Sequence, residues 1–544
     1  MRARIDKFLL LLRTVIWLKP VQIYGRVWFR LYRPKPRSLT GAKLNLPRDP
    51  WRSVARRPSL SAADTFTFLN QTETLAMQDD WNAKRISKLW LYNAHYFDDL
   101  NANDAGERTD WHRDIIDRWI AQNPPGTGNG WEPYPTSLRI VNWAKWLMSS
   151  NATTQDMIDS LATQTDWLSR RLEHHLLGNH LFANAKALVF AGCVLDRPEA
   201  EGWFRMGLAL VKRELREQIL PDGGHFERSV MYHAILTEDV LDLVQLAKLF
   251  PRKISADDQS DWKHTATAML EFLQAMTHPD GRLSFFNDGA FGIAAEPAHL
   301  LSHASHLGFQ VPQDFPAVHR LESSGYTRLS KGDAVLLSDT AAIGPDFLPG
   351  HAHADTLSFE FSLARQRIFV NGGTSVYGGA PRQRHRERST ANHNTLTLGD
   401  QNSSEIWSDF RVARRANVTD VSSGETPSVL WLEGTHDGFK RISGPMHKRR
   451  WELTDHSLTI QDSLSGSPPQ AKPAKIRFRI HPDLAATISE ISTETHRIAI
   501  DAHGGTLTLE DGIWSPEFGR TVACHILVLT MTETAASISF TWKS

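Results

Sequence analysis

The feature that most constrains this chain is a change of hydrophobic period near residue 320. Before it, "LRIVNWAKWL" sets Ile140, Trp143, Ala144 and Leu147 at i, i+3, i+4 and i+7, and "TEDVLDLVQLAKLF" does the same with Val240, Leu243, Val244 and Ala247. Such a stripe is one face of a helix, and Thr237–Glu238–Asp239 reads as the capping run of the second. Further helices are expected around 110–122, 155–176, 180–194, 201–218 and 261–277. The intervening loops, "NPPGTGNGWEPYP" and "LPDGGHFERS" among them, are rich in Gly, Pro and aromatics. A long helical series with such loops predicts a helical array or toroid whose loops line a cleft. After residue 320 the period becomes two. "DAVLLSD", "LSFEFSL", "RIFVNGG", "HNTLTLGD", "SVLWLEG", "HSLTIQD", "KIRFRI", "TLTLED" and "CHILVLTM" are short alternating segments separated by turn residues, the pattern of an antiparallel sandwich. At 544 residues the chain exceeds one core. It divides into a basic aromatic extension (1–60), a helical domain (61–318) and a β-domain (319–544).

Charge and cysteine count narrow the function. Lys+Arg and Asp+Glu both number 61, so no bulk basic excess points to nucleic acid. No phosphate-binding glycine loop or dinucleotide fingerprint is present, so no organic cofactor is expected. Two distant cysteines, Cys193 and Cys524, exclude a disulfide framework and a thiolate zinc site. The charge is uneven, however: residues 1–37 carry ten Lys/Arg against Asp6 alone, a segment at +9 that leaves −9 for the remainder. "FLLLL" (8–12) is apolar, but Arg13 interrupts it and no small-residue cleavage site follows, so a signal peptide is not expected. No run reaches the roughly 18–20 apolar residues of a membrane span. Residues 1–37 therefore have two readings: helices packed on the body with arginines in solvent, or a peripheral contact with an anionic membrane surface.

Four stretches carry chemistry. "PGHAHADTLSFEF" (349–361) places His351, His353 and Asp355 at alternate positions before Leu357, Phe359 and Phe361, which on a strand would share one face. Buried titratable groups need partners, so the rim of that sheet reads as a site. "GNHLFANAKAL" holds Asn179 and His180 at a helix start, where Asn is also a common N-cap. "DGGHFERSVMYHAIL" holds Glu227, Arg228, Tyr232 and His233. "NGGTSVYGGAPRQRHRERSTANHNTLTLGD" offers Asn371, a loop with Arg382, Arg384, His385, Arg386 and Arg388, then His393 entering a strand. Four arginines beside a histidine cluster suit an anionic ligand.

Taken together, "GHAHADTLSFEF", "VNGGT" and "RSTANHNTL", with "GNHLFANAKALVFAG" and "DGGHFERSVMYH", resemble the heparinase II/III-like polysaccharide lyases over roughly residues 80–460. The resemblance implies an incomplete α/α toroid followed by an antiparallel β-sandwich, with catalysis in the cleft between them. It implies a lyase that removes the C5 proton of a uronate and expels the C4 oxygen of an acidic polysaccharide. Asn179 would then bind the substrate carboxylate and stabilise the developing enolate. Tyr232 would give or take a proton, its pKa lowered by nearby positive charge if it is the base, and His351 would supply that charge or act as base. His180, Glu227, Arg382, Arg386 and Arg388 are the expected substrate contacts. His353, Asn371 and His393 match the positions of a structural zinc. The family often has aspartate where this chain has Asn371, and a neutral amide is a poor zinc ligand, with Asp355 the nearest substitute. Relatives acting on extracellular glycans suggest the periplasm or cell envelope; the poor signal sequence leaves the cytoplasm open. Two other readings stand beside the lyase: a glycoside hydrolase using Glu227 and Asp288, and a non-catalytic glycan-binding protein of polysaccharide assembly or export.

Overall fold

The computed structural model describes residues 2–150, 152–312, 314–442, 444–465 and 473–543. Among the described residues the helical period builds eleven α-helices before the β-domain: α1 (Arg2–Val15), α2 (Pro20–Leu31), α3 (Lys88–Tyr96), α4 (Thr109–Gln122), α5 (Pro133–Leu147), α6 (Gln155–Ser169), α7 (Gly178–Val194), α8 (Ala200–Gln218), α9 (Val230–Leu249), α10 (Ala256–Ala275) and α11 (Pro297–Leu307). From α3 onward they form the incomplete toroid. Apolar stripes supply its core, and α7 is buried along almost its whole length. Two glycines bring α7 and α8 together: a Cβ on Gly192 would strike the backbone of Phe204, and one on Gly207 would strike Ala185 and Leu188.

The run Thr237–Glu238–Asp239 lies inside α9 and caps nothing. The helix begins seven residues earlier, because the Ser229 hydroxyl accepts the Tyr232 amide at 3.2 Å and closes the N-terminus there. Tyr232 consequently sits in the first turn.

The helical half is not free of strand: Leu60–Ala62, Thr65–Phe68 and Gln71–Thr74 form a small three-stranded sheet, and Lys43–Leu44 pairs with Leu195–Asp196. The sheets of the β-domain begin at Val318. A five-stranded antiparallel sheet runs 366–369, 359–363, 334–339, 326–331, 318–321 in spatial order, and a four-stranded one runs 396–398, 474–479, 520–531, 505–517. An eight-stranded sheet shares their core, where Phe359, Phe361, Phe369, Trp451, Phe478 and Phe540 meet. Leu329 and Leu336 join that core, whereas Val335 and Leu337 join the toroid's, so the five-stranded sheet is the layer between the domains.

Its polar face is buried. Glu360 takes the His278 imidazole at 2.9 Å and the amides of Phe285 and Asn371, while Ser362 meets the other His278 nitrogen at 2.7 Å. These bonds satisfy groups that would otherwise be costly to bury. They also tie helical-domain loops to the strand that leads out of the histidine segment.

Candidate active site

Residues 351–358 are not strand. The strand starts at Phe359, because Leu357 adopts φ +60° and Ser358 N–H bonds back to Asp355 O at 2.9 Å, closing a turn. The irregular segment carries His351 and His353 to one carboxylate, Asp288. Its Oδ2 accepts His351 Nδ1 at 2.9 Å, Arg384 Nη2 at 2.8 Å and Tyr377 Oη at 2.8 Å. Its Oδ1 accepts His353 Nε2 at 2.8 Å, Thr374 Oγ1 at 3.3 Å and Arg384 Nη1. Burial alone would raise the Asp288 pKa. The Arg384 guanidinium and the two imidazoles overcome it and hold the carboxyl well below the usual carboxylate range.

The other imidazole nitrogen of His351, Nε2, lies 3.2 Å from Glu227 Oε2. The Tyr232 ring stacks on His351 with centroids 3.8 Å apart, and its hydroxyl is 3.5 Å from that of Tyr377. Burial pushes the Tyr232 phenol above its ordinary value; the Tyr377 hydrogen bond and Arg384 offset this only in part. The positive charge of Arg384 is thus outweighed by burial, and the balance favours the protonated phenol. Burial also raises the Glu227 carboxyl, against His351 and the Asn179 amide.

Asn179 is not an N-cap. It is the second residue of α7, and Glu227 Oε1 takes its backbone N–H at 3.2 Å. The Asn179 side-chain amide makes no hydrogen bond among the described residues and lines the cleft. Strained backbone surrounds the cluster. Leu177, two residues before Asn179, has φ +65° and ψ −159°, while Arg228 after Glu227 and Asn287 before Asp288 have φ of +59° and +57°. Such conformations persist where surrounding structure imposes them and gather at functional sites.

Asn179, His180, Glu227, Tyr232, His351 and Tyr377 line one cavity of about 750 Å³, within the size range of ligand sites. His180 stacks on Tyr134 at 4.3 Å, with Nδ1 3.3 Å from Glu173. The arginines are placed otherwise than expected. Their segment is a helix, α12 (Pro381–Arg388), opened by proline at its first position. Arg388 is fully buried and donates to the carbonyls of Ala352, at 3.0 and 2.9 Å, and of Ser408. It props the histidine segment from behind. Arg382 and Arg386 are exposed and do not line the cavity, whereas Arg411, Arg26 and Arg56 do. Tyr377 was not singled out in the sequence, and Asp288 only as half of a hydrolytic pair.

The zinc positions fit in part. His353 Nδ1 and His393 Nε2 face each other at 3.0 Å. Their outer nitrogens bond Asp288 and Ser389 O, the support a metal-ligating histidine requires. The remaining donors do not fit. Asn371 Oδ1 accepts the Asn394 amide at 3.2 Å, leaving its buried NH₂ group unpaired, and Asp355 accepts the Asn287 amide at 3.0 Å. Among the described residues no cluster of three or more His, Cys, Asp or Glu forms a metal site. Two imidazoles fall short of the three or four ligands zinc takes.

Comparison with known proteins bears on the family and the fold. Residues 97–302 match the family model described as Heparinase II/III N-terminus, and residues 315–543 match Heparinase II/III-like, C-terminal. The chain is 23% identical over 449 residues to a heparin-sulfate lyase of Bacteroides stercoris, covering 71% of this chain and 63% of that one. It is 26% identical over 453 residues to FtsZ-localized protein C of Caulobacter vibrioides, covering 76% and 73%. The chain thus spans just under two thirds of that lyase's length. Among solved structures, a heparinase III superposes with TM-score 0.65 at 17% identity, covering 87% of this chain and 78% of that one. The heparan sulfate lyase HepC from Pedobacter heparinus gives 0.59 at 16%, covering 96% and 88%.

Proposed function

This chain belongs to the heparinase II/III-like family, and from that premise we propose that it is a polysaccharide lyase, a carbon–oxygen lyase cleaving an acidic, uronate-containing glycan by β-elimination. The observation that carries the reading is His351: one nitrogen is held by Asp288, the other is turned toward Glu227, and the Tyr232 ring lies on its face. With Nδ1–H donating to the Asp288 carboxylate, Nε2 is the nitrogen that takes the C5 proton, and Glu227 beside it holds the imidazolium that results. The electrons of the C5–H bond form the C4=C5 double bond as the C4–O bond breaks. Tyr232, kept protonated by burial, gives its proton to the leaving oxygen and is restored by the proton taken up on His351. Water is not consumed. The free amide of Asn179 faces the uronate carboxylate, and Glu227 fixes the helix end that presents it.

The same geometry tells against a hydrolase. The His351 ring stands between Glu227 and Asp288, and both Asp288 oxygens are committed to Arg384, imidazole and hydroxyl donors, leaving neither free to activate water. Membrane contact through α1 and α2 and work at the cell envelope complete the proposal. Incubation with a panel of uronate polymers tests it: elimination leaves an unsaturated uronate that absorbs in the ultraviolet. Shortened polymer without that absorbance would mean hydrolysis, and bound but intact polymer a binding protein.

A further inference from the structure

The outer face of α1 and α2 is apolar and uncovered. Ile5, Phe8, Leu9, Leu12 and Ile16 recur at helical spacing along α1 and the residue beyond it, and Ile23, Tyr24, Val27, Trp28 and Leu31 do so along α2; all are exposed. Ile16, Leu31, Tyr24 and Trp28 keep 73, 74, 63 and 62% of their surface in solvent, far more than scattered surface apolars require. Exposed Lys7, Arg30, Arg33 and Lys35 border them.

The opposite face is pinned to both domains. Trp407 Nε1 donates to Thr14 Oγ1 at 3.0 Å, Arg13 pairs with Glu405 at 3.4 Å, and Gln22 Nε2 donates to Phe347 O at 3.0 Å. Lys19 pairs with Glu217, and the Arg171 guanidinium lies 3.7 Å over the Phe29 ring. Leu11, Thr14, Val15, Leu18 and Gln22 line the cavity itself. The helices are therefore a fixed wall of the cleft with an uncovered back.

We infer that this back is a docking surface for an anionic lipid bilayer. A second copy of the chain fits less well, since a symmetric pairing would press the same exposed cations, Lys7, Arg30, Arg33 and Lys35, against each other. Lipid phosphates complement that charge while the acyl boundary takes Phe8, Trp28 and Leu31. Neither helix is long enough to cross a bilayer by itself: they have 14 and 12 residues against the ~20 a span needs, and a bend of 108° separates them. The inference rests on the membrane contact proposed above, to which it gives a face and a lipid class, and is independent of the lyase chemistry.

Flotation of the full chain with phosphatidylcholine vesicles, with and without 30% phosphatidylglycerol, tests it. The wild type should float with the anionic vesicles and release in high salt. Phe8→Glu/Trp28→Glu should lose about tenfold or more in vesicle affinity while keeping its melting temperature. Arg30→Glu/Arg33→Glu should lose affinity for anionic vesicles alone. A wild-type protein that floats with neither vesicle, or with both equally, would overturn the inference, as would a folded Phe8→Glu/Trp28→Glu variant that floats normally. Self-association through this face, abolished by the same variant in the absence of lipid binding, would assign it to a second copy instead.

Discussion

In the proposed elimination Tyr232 carries the proton to the leaving oxygen. Tyr232→Phe removes only the hydroxyl and keeps the ring on His351, so the fold and melting temperature should hold while turnover falls about 10²–10⁴-fold. Near-normal turnover by a folded variant would move the proton donor elsewhere. Asp288 is a different case, because it organises groups that react. Asp288→Asn leaves Arg384 buried without its counter-charge and should cost about 3–5 kcal/mol at neutral pH. The sign with pH follows from its depressed folded pKa: the carboxylate's stabilisation is present above the unfolded value, near 4, and is lost as pH falls through the folded value. Denaturant melts of both proteins should show the wild-type margin full at pH 7 and shrinking in acid; a constant margin would mean that the charge is not what stabilises the cluster. Asn179, Tyr232 and His351 could be singled out because their local motifs are distinctive, and the structure gathers them in one cavity. The role of Asp288 was not, since its partners come from residues 351 to 384 and no spacing along the chain encodes them. Tyr377, alone in a glycine turn, left no signal.

At the scale of elements, the period of the sequence carried most of what the fold became. The helices at 109–122, 200–218 and 256–275 and the strands from 334 onward lie close to where apolar spacing puts them. The misplacements are local and physical. Asp355 and Leu357 alternate as in a strand, yet a left-handed turn at Leu357, unmarked by Gly or Asn, breaks the alternation and delivers the histidines to Asp288. The arginine segment reads as a loop because it is all charge; proline at its start and carbonyls waiting for Arg388 make it a helix. The histidine pair between these elements carries its own expectation. With Asn371 in place of a carboxylate, chelator-dialysed protein should hold well under one zinc per chain by elemental analysis and melt unchanged. His393→Ala should lower stability by about 1–3 kcal/mol with a smaller effect on turnover than Tyr232→Phe. One zinc per chain surviving dialysis would show that Asn371 is no handicap.

Across the whole molecule, the cleft is made by three parts of the chain: α7 and α9 from the toroid bring Asn179 and Tyr232, the β-domain brings His351 and Tyr377, and α1 with α2 close one side. The buried Glu360–His278 seam holds the first two in register. That assembly was foreseeable only as two halves with a cleft between them; the contribution of the N-terminal helices to its wall was not, because their two faces differ in partners rather than in pattern. What the assembly is claimed to do is break a C4–O bond without water. Mass spectrometry of the fragments from a defined uronate oligosaccharide reads this directly. Elimination gives two fragments whose masses sum to that of the parent, the one from the cleaved uronate lighter by one water than its hydrolytic counterpart. Fragments summing to the parent plus one water would contradict it.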